Sequence, residues 1–265
     1  MPKVFANEIE FYYQRHGKGD PLIFICGFTN HLGMWEKFIS PLSQNYEIIL
    51  FDNRGAGRTD VSPPPYTIDQ LGDDVVALMD ALGISKAYMA GSSMGTAIIQ
   101  SIGLRYPERL LKGVLIAPFH TLPSTAIMQA QSTAKLFEAN IDPYVIFESI
   151  LPWLFSNDYL SDPERVRSII ETLINNPYPQ SHEGYVGQLD AITHFDSTKT
   201  LEEIKNELLI IAGEEDLYTP LFFIDVLIKK LPFRKVVTIP KMGHMPYIEA
   251  ADLLIKEICA FCKSK

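Results

Sequence analysis

The most pointed chemistry in this sequence sits in a serine flanked by glycines, Gly91-Ser92-Ser93-Met94-Gly95. A short apolar run over residues 86–90 precedes it, and a helical pattern follows to about Tyr106. Gly-x-Ser-x-Gly between a strand and a helix is the pattern of a nucleophile elbow. At so sharp a turn the central serine takes a strained backbone, and a side chain at Gly91 or Gly95 would collide with neighbouring backbone. The turn lifts the Ser93 hydroxyl above the sheet. It also aims the Met94 N–H at the same spot, where the start of a helix favours developing negative charge. Ser92 occupies the variable position, so its side chain is expected to point elsewhere, into a local hydrogen bond.

A serine hydroxyl is a weak nucleophile at neutral pH and needs a base. The chain has six histidines. His16 falls in a turn, His31 in the loop after an early strand, and His120, His182 and His194 in or beside a central helical stretch. Only His244 follows a late strand-like run, in Pro240-Lys241-Met242-Gly243-His244-Met245-Pro246. A lone loop histidine is ordinarily a solvated side chain. This one lies at the same edge of a parallel sheet as the elbow, which makes it the expected base. The imidazole in turn needs an orienting carboxylate. The strand-like run 207–212 leads into Gly213-Glu214-Glu215-Asp216-Leu217-Tyr218-Thr219-Pro220. Asp216 is the choice, and Glu214 and Glu215 are rivals that spacing alone does not exclude.

The elements that must hold these residues can be read from periodicity. Runs 22–26, 47–51, 86–90 and 110–117 are short and apolar on both faces, as buried parallel strands are. Ile68, Leu71, Val75, Leu78, Met79 and Leu82 share one helical face. Thr67 with Gln70 is a capping-box signature for the start of that helix, and Gly83 marks its end. Residues 9–15 are rich in aromatics, and the break at His16-Gly17-Lys18-Gly19-Asp20-Pro21 reads as the turn of an N-terminal hairpin. Strand–helix alternation of this kind means right-handed crossovers and a doubly wound, mostly parallel α/β sheet. The alternation stops after about Pro118. It resumes with a strand at 207–212, a helix at 221–231, a strand at 235–239 and a last helix at 250–262. The expected organisation is an α/β core formed by residues 1–118 and 200–265, with a helical cap inserted at 119–199. An insertion between core strands sits above one sheet edge, where loops carry function.

Composition excludes several classes. The chain has 265 residues, 47% hydrophobic and 21% charged, with a net charge of −9. That is globular rather than disordered, and large enough for an unstapled core. The acidic balance without a basic run argues against nucleic acid. No apolar run approaches a membrane span, and the N-terminus has no signal-peptide pattern. Three cysteines fit a reducing, cytoplasmic setting. Cys259 and Cys262 form a lone pair on a helix without a second ligand pair, so no metal or other cofactor is expected. The glycine-rich segment 52–59 lacks the spacing of a nucleotide-binding loop and reads as a structural turn, with Arg54 and Arg58 bracing it.

Taken with Cys26-Gly27-Phe28, Phe51-Asp52-Asn53-Arg54-Gly55-Ala56-Gly57-Arg58-Thr59, the Gly213–Pro220 loop and Gly243-His244, the order Ser93, Asp216, His244 resembles the α/β-hydrolase fold family over essentially the whole chain. The resemblance implies a catalytic Ser93, Asp216 as its acid, His244 as its base, and an oxyanion hole made by the N–H groups of Phe28 and Met94. Cys26 departs from the family's usual His-Gly. The backbone donor survives this change, while the histidine's side-chain contacts are lost. The stretch 188–197 and the strand after it are similar to enol-lactone hydrolases and related small-amide hydrolases. A serine nucleophile sets the chain apart from the haloalkane dehalogenases, which use aspartate.

The implied activity is hydrolysis of a small carboxylic ester or lactone through an acyl-enzyme. The same triad could instead cleave a carbon–carbon, amide or thioester bond, or the fold could serve a ligand receptor with no turnover. The insertion carries Phe137, Tyr144, Phe147, Trp153, Leu154, Phe155 and Tyr159. Most of these are expected to pack the cap on the core. Trp153 and Phe155 are expected to line an apolar substrate pocket, with Phe28 and Met94 flanking the serine. The expected partner is a small apolar molecule, and apolar cap surface leaves room for a homodimer.

Overall fold

Alternation of side chains across a strand explains how the centre of this protein is built. In β3 (Asp20–Ile25), Ile23 and Ile25 face one apolar cluster while Leu22 and Phe24 face another. Strands buried on both faces in this way belong in the middle of a layered α/β structure. The computed structural model describes residues 2–263. The other strands are β1 (Lys3–Ala6), β2 (Ile9–His16), β4 (Tyr46–Phe51), β5 (Ala87–Ser92), β6 (Leu110–Ile116), β7 (Glu207–Gly213) and β8 (Arg234–Ile239). The sheet order is β1-β2-β4-β3-β5-β6-β7-β8. β3 through β8 run parallel, and β1 and β2 are antiparallel additions at one edge.

Helices cover both faces. α1 (Glu36–Leu42) and the C-terminal helix α11 (Ala251–Lys263) pack against the Leu22/Phe24 face. α2 (Ile68–Ala81), α3 (Met94–Arg105) and α9 (Leu221–Lys230) pack against the Ile23/Ile25 face. α2 forms as its sequence predicts. The Thr67 side chain accepts from the Gln70 N–H, and Ile68, Leu71, Val75, Leu78 and Met79 are all buried. Gly83 adopts φ +73°. Its N–H and that of Ile84 bond back to Asp80 and Met79 in a Schellman-type stop.

One expectation is corrected. The N-terminal hairpin is formed by β1 and β2, turning at Asn7 and Glu8, which both have positive φ. The break at residues 16–21 is no hairpin turn, because β4 lies between β2 and β3. That loop crosses the start of β4 so closely that a Cβ on Gly17 would lie 2.3 Å from the Ser43 carbonyl oxygen, and one on Gly19 2.4 Å from that of Asn45.

Between β6 and β7 the chain runs through α4 (Ser124–Glu138), α5 (Pro143–Leu154), α6 (Asn157–Leu160), α7 (Pro163–Ile174) and α8 (His182–Thr193). An isolated antiparallel bridge, Thr121 with Asp196, joins the two ends of this segment. A short helix α10 (Pro246–Glu249) follows the loop after β8. Among the described residues no helix is long and apolar enough to cross a membrane.

Candidate active site

The carboxyl ends of β3, β5, β7 and β8 deliver four loops to one edge of the sheet, where open α/β sheets place their ligands. At the end of β5 the chain turns so sharply that Ser93 adopts φ 50° and ψ −113°. The flanking glycines are required by contact. A Cβ at Gly91 would lie 2.6 Å from the Gly95 carbonyl, and one at Gly95 would lie 2.5 Å from the Ile25 oxygen. The Ser93 hydroxyl has no hydrogen-bond partner among the described residues and opens on a cavity of about 820 Å³.

His244 opens on the same cavity. Its Nδ1 lies 2.8 Å from Asp216 Oδ2. A carboxylate only accepts, so the ring must donate from Nδ1, which leaves the Nε2 lone pair free. His244 and Asp216 are 4% and 2% exposed, so water does not screen this pair. The second Asp216 oxygen accepts the Tyr218 and Thr219 N–H groups, each at 2.8 Å. Asp216 thereby caps its own loop as short acidic side chains do. Thr219 is fully buried, and its hydroxyl donates to Asp216 Oδ2 at 2.9 Å. The rivals are elsewhere: Glu214 is exposed, and Glu215 accepts the Asn157 N–H at the start of α6.

The histidine loop is held from below and from above. A Cβ on Gly213 would collide with the Met242 carbonyl at 2.2 Å. The His244 and Met245 N–H groups both donate to the Leu154 carbonyl at the end of α5. Glu249 joins the same two segments, accepting from the Gly243 N–H, the Ser156 N–H and the Ser156 hydroxyl. Burial pushes the Glu249 carboxyl above its ordinary value.

The Phe28 and Met94 N–H groups have no hydrogen-bond acceptor among the described residues. Phe28 lies in the loop after β3 that borders the same cavity as Ser93, and Met94 opens α3 directly after Ser93, as an oxyanion site requires. The Met94 side chain is fully buried in the core and does not line the cavity, so its part is confined to its backbone. Ser92 does border the cavity, and its hydroxyl makes no local hydrogen bond among the described residues. Cys26 is fully buried in the core, where burial pushes its thiol well up. Its loop is held instead by Asn53, whose side chain donates to the Cys26 carbonyl at 3.0 Å.

Trp153 and Phe155 do not line the cavity, contrary to the sequence expectation. The stripe of α5 that faces it is Phe147, Ile150 and Leu154. Trp153 lies about 90° from the centre of that stripe at 100° per residue, and it packs against the main core. Phe155 stands beyond the last residue of α5, where it stacks on Tyr159 and contacts the Ile170 cluster. Phe28, Phe137, Leu173, Tyr185, Tyr218 and Tyr247 contribute further apolar wall. Arg54 pairs with Asp74 and Arg58 with Asp52, both outside the cavity wall, in keeping with turn-bracing.

Residues 20–251 match the family model described as alpha/beta hydrolase fold. A 3-oxoadipate enol-lactonase of Acinetobacter baylyi is 33% identical over 216 residues, 80% of this chain and 78% of that protein. A Caulobacter protein with the provisional name carbamate hydrolase RutD is 28% identical over 244 residues, 88% of each chain. The enol-lactonase structure from Burkholderia xenovorans superposes with a TM-score of 0.87 at 24% identity, covering 99% of this chain and all of that one. An elbow serine at the head of a parallel sheet and a match across most of the sequence lead to one assignment: this chain belongs to the α/β-hydrolase fold family, among the relatives of its enol-lactonase group.

Proposed function

We propose that this protein is a serine hydrolase that cleaves a small carboxylic ester or lactone. The observation that carries the reading is His244, bonded at 2.8 Å to the buried Asp216 behind it and facing one cavity with the strained Ser93. Ser93 Oγ attacks the acyl carbon while His244 Nε2 takes its proton. The charge on the former carbonyl oxygen is received by the Phe28 and Met94 N–H groups. His244 then protonates the departing alkoxide, leaving an acyl group on Ser93. Water attacks the acyl carbon with His244 again as base, and the acid leaves.

Residues 119–199 act as a cap in this proposal, supplying the α4, α5, α7 and α8 side chains of the cavity wall. A volume of about 820 Å³ walled largely by apolar side chains suits a small, mostly apolar molecule. The unpaired Cys26, Cys259 and Cys262 support a reducing, cytoplasmic setting. The relatives named as carbamate hydrolases favour a second reading, the same chemistry on a carbamate or amide carbonyl.

The test is a progress curve with short-chain p-nitrophenyl esters before and after a fluorophosphonate, with mass spectrometry locating the adduct. Sustained turnover that disappears with an adduct on Ser93, and its absence in Ser93→Ala, is the expected result. Adduct without turnover would favour a receptor or a different bond. Unchanged turnover in Ser93→Ala would refute the nucleophile.

A further inference from the structure

In the loop after β3, hydrogen bonds hold the backbone on both sides of the free Phe28 N–H. The Gly27 carbonyl accepts from the Asn30 N–H at 3.3 Å. The Phe28 carbonyl accepts from Asn30 Nδ2 at 3.0 Å. The next group, the Thr29 N–H, donates to Gln188 Oε1 at 3.1 Å. Thr29 has φ +65°, a conformation costly for a β-branched residue. It persists only where surrounding contacts over-determine it.

Gln188 lies far away in sequence, on α8, and is fully buried. Its Nε2 donates to the Arg54 carbonyl at 2.9 Å, and its Oε1 also accepts from Gln180 Nε2 at 3.0 Å. Gln180 donates as well to the Gly55 carbonyl at 2.8 Å. The Gln188 amide is therefore oriented without ambiguity, its nitrogen on a carbonyl and its oxygen on two donors. α8 lies flat enough on the core for this because it presents Gly184 and Gly187 there. A Cβ on Gly184 would be 2.1 Å from the Gly55 oxygen, and one on Gly187 would be 2.5 Å from the Tyr66 ring. One turn before Gln188, Tyr185 packs on the Phe28 ring with centroids 4.8 Å apart.

We propose that Gln188 is a positioning residue for the oxyanion site: by holding the Thr29 N–H it fixes the peptide that follows Phe28 and so the direction of the Phe28 N–H. This rests on the reading in which Ser93 attacks and Phe28 receives the charge. The donor is thus set by a helix of the 119–199 segment as well as by its own loop. An oxyanion donor is worth its full effect only when aimed in advance. Loosening it spares ground-state binding and slows the step in which charge develops.

The experiment compares the full-length parent, Gln188→Met and Ser93→Ala. It reads kcat and KM for p-nitrophenyl acetate, the rate of fluorophosphonate adduct formation on Ser93, and the melting temperature. Gln188→Met removes every hydrogen bond of the amide at similar length. The expected result is a fall of about tenfold or more in both kcat and labelling rate with KM within about twofold, since complete loss of a donor costs about 10²–10³. Where Gln188→Met does not fold, Gln188→Ser replaces it, because the vacated space admits water to the Arg54 and Gln180 groups. A raised KM with kcat and labelling rate unchanged would make Gln188 a docking contact and overturn the proposal. Parental values throughout would also overturn it while leaving the hydrolase reading intact. A parent that is not labelled at Ser93, or a fully active Ser93→Ala, would overturn the hydrolase reading and the role of Gln188 with it.

Discussion

Asp216→Asn gives the sharpest test of the proposed chemistry, because the surroundings dictate how the amide must sit. One carboxylate oxygen accepts two backbone N–H groups, from Tyr218 and Thr219. An amide nitrogen cannot take that place, so the Asn oxygen must. The Asn nitrogen is then left where Oδ2 stood, 2.8 Å from His244 Nδ1. There it donates, so the ring must accept at Nδ1 and carry its proton on Nε2. The lone pair required to take the Ser93 proton is then on the wrong side of the ring. In the serine proteases a wrong tautomer of this kind costs about 10⁴ in kcat, which is about 5 kcal/mol of transition-state stabilisation. The Thr219 hydroxyl, which loses its acceptor, can turn to the Ala117 carbonyl at 3.4 Å, so the fold should remain. The assay is kcat on a p-nitrophenyl ester, with melting temperature as the control. A rate within tenfold of the parent at an unchanged melting temperature would refute Asp216 as the orienting acid. Glu214→Gln should leave the rate within about twofold, because that side chain is exposed and bonds to nothing in the site.

The strain at Ser93, φ 50° and ψ −113°, should be measurable. Relief of about 1–3 kcal/mol less the chain entropy of glycine leaves Ser93→Gly about 1 kcal/mol more stable than Ser93→Ala, or about 2–4 °C in melting temperature; equal melting temperatures would count against it. Phe147→Ala and Trp153→Ala should separate wall from core. The first should lower kcat/KM for short acyl esters about tenfold relative to longer ones, and the second should cost about 2 kcal/mol of stability with chain-length preference unchanged, as read by an ester series and thermal melts. Glu249 predicts a pH effect. Burial raises its carboxyl above the ordinary 4.5, so the folded state holds that proton more tightly than the unfolded one. The corresponding stability is complete below pH 4.5 and is lost as pH rises through the raised value. The melting-temperature advantage of the parent over Glu249→Gln should therefore shrink as pH rises above that window; a difference independent of pH would contradict it.

Much of this protein was legible in its sequence because the relevant physics is local. Short runs apolar on both faces marked the parallel strands, and Thr67 with Gly83 marked both ends of α2. Gly91 and Gly95 revealed the elbow, since only a turn that would bring backbone within about 3 Å of a Cβ demands glycine at both places. The chain order of Ser93, Asp216 and His244, each after a strand-like run, was equally visible, and the candidate acid could be narrowed to three neighbours. What chose Asp216 among them was burial and the 2.8 Å approach to His244, neither of which a loop sequence encodes by spacing.

The cavity wall was beyond such reading. Trp153 and Phe155 are as apolar as Phe147 and Leu154, and only the rotation of α5 against its neighbours decides which pair faces Ser93. The hairpin was misplaced for a similar reason, because pairing of β2 with β4 is a long-range choice. Gln188 carries no local signal at all. Its partners, Thr29 and Arg54, are 159 and 134 residues away, and an amide finds such partners only once the helix that bears it has docked. Sequence by itself determined the central parallel strands, the turn at Ser93 and the candidate reactive side chains, which depend on neighbours along the chain. Tertiary structure alone decided which surfaces meet, because packing brings together residues whose separation in sequence says nothing of their separation in space.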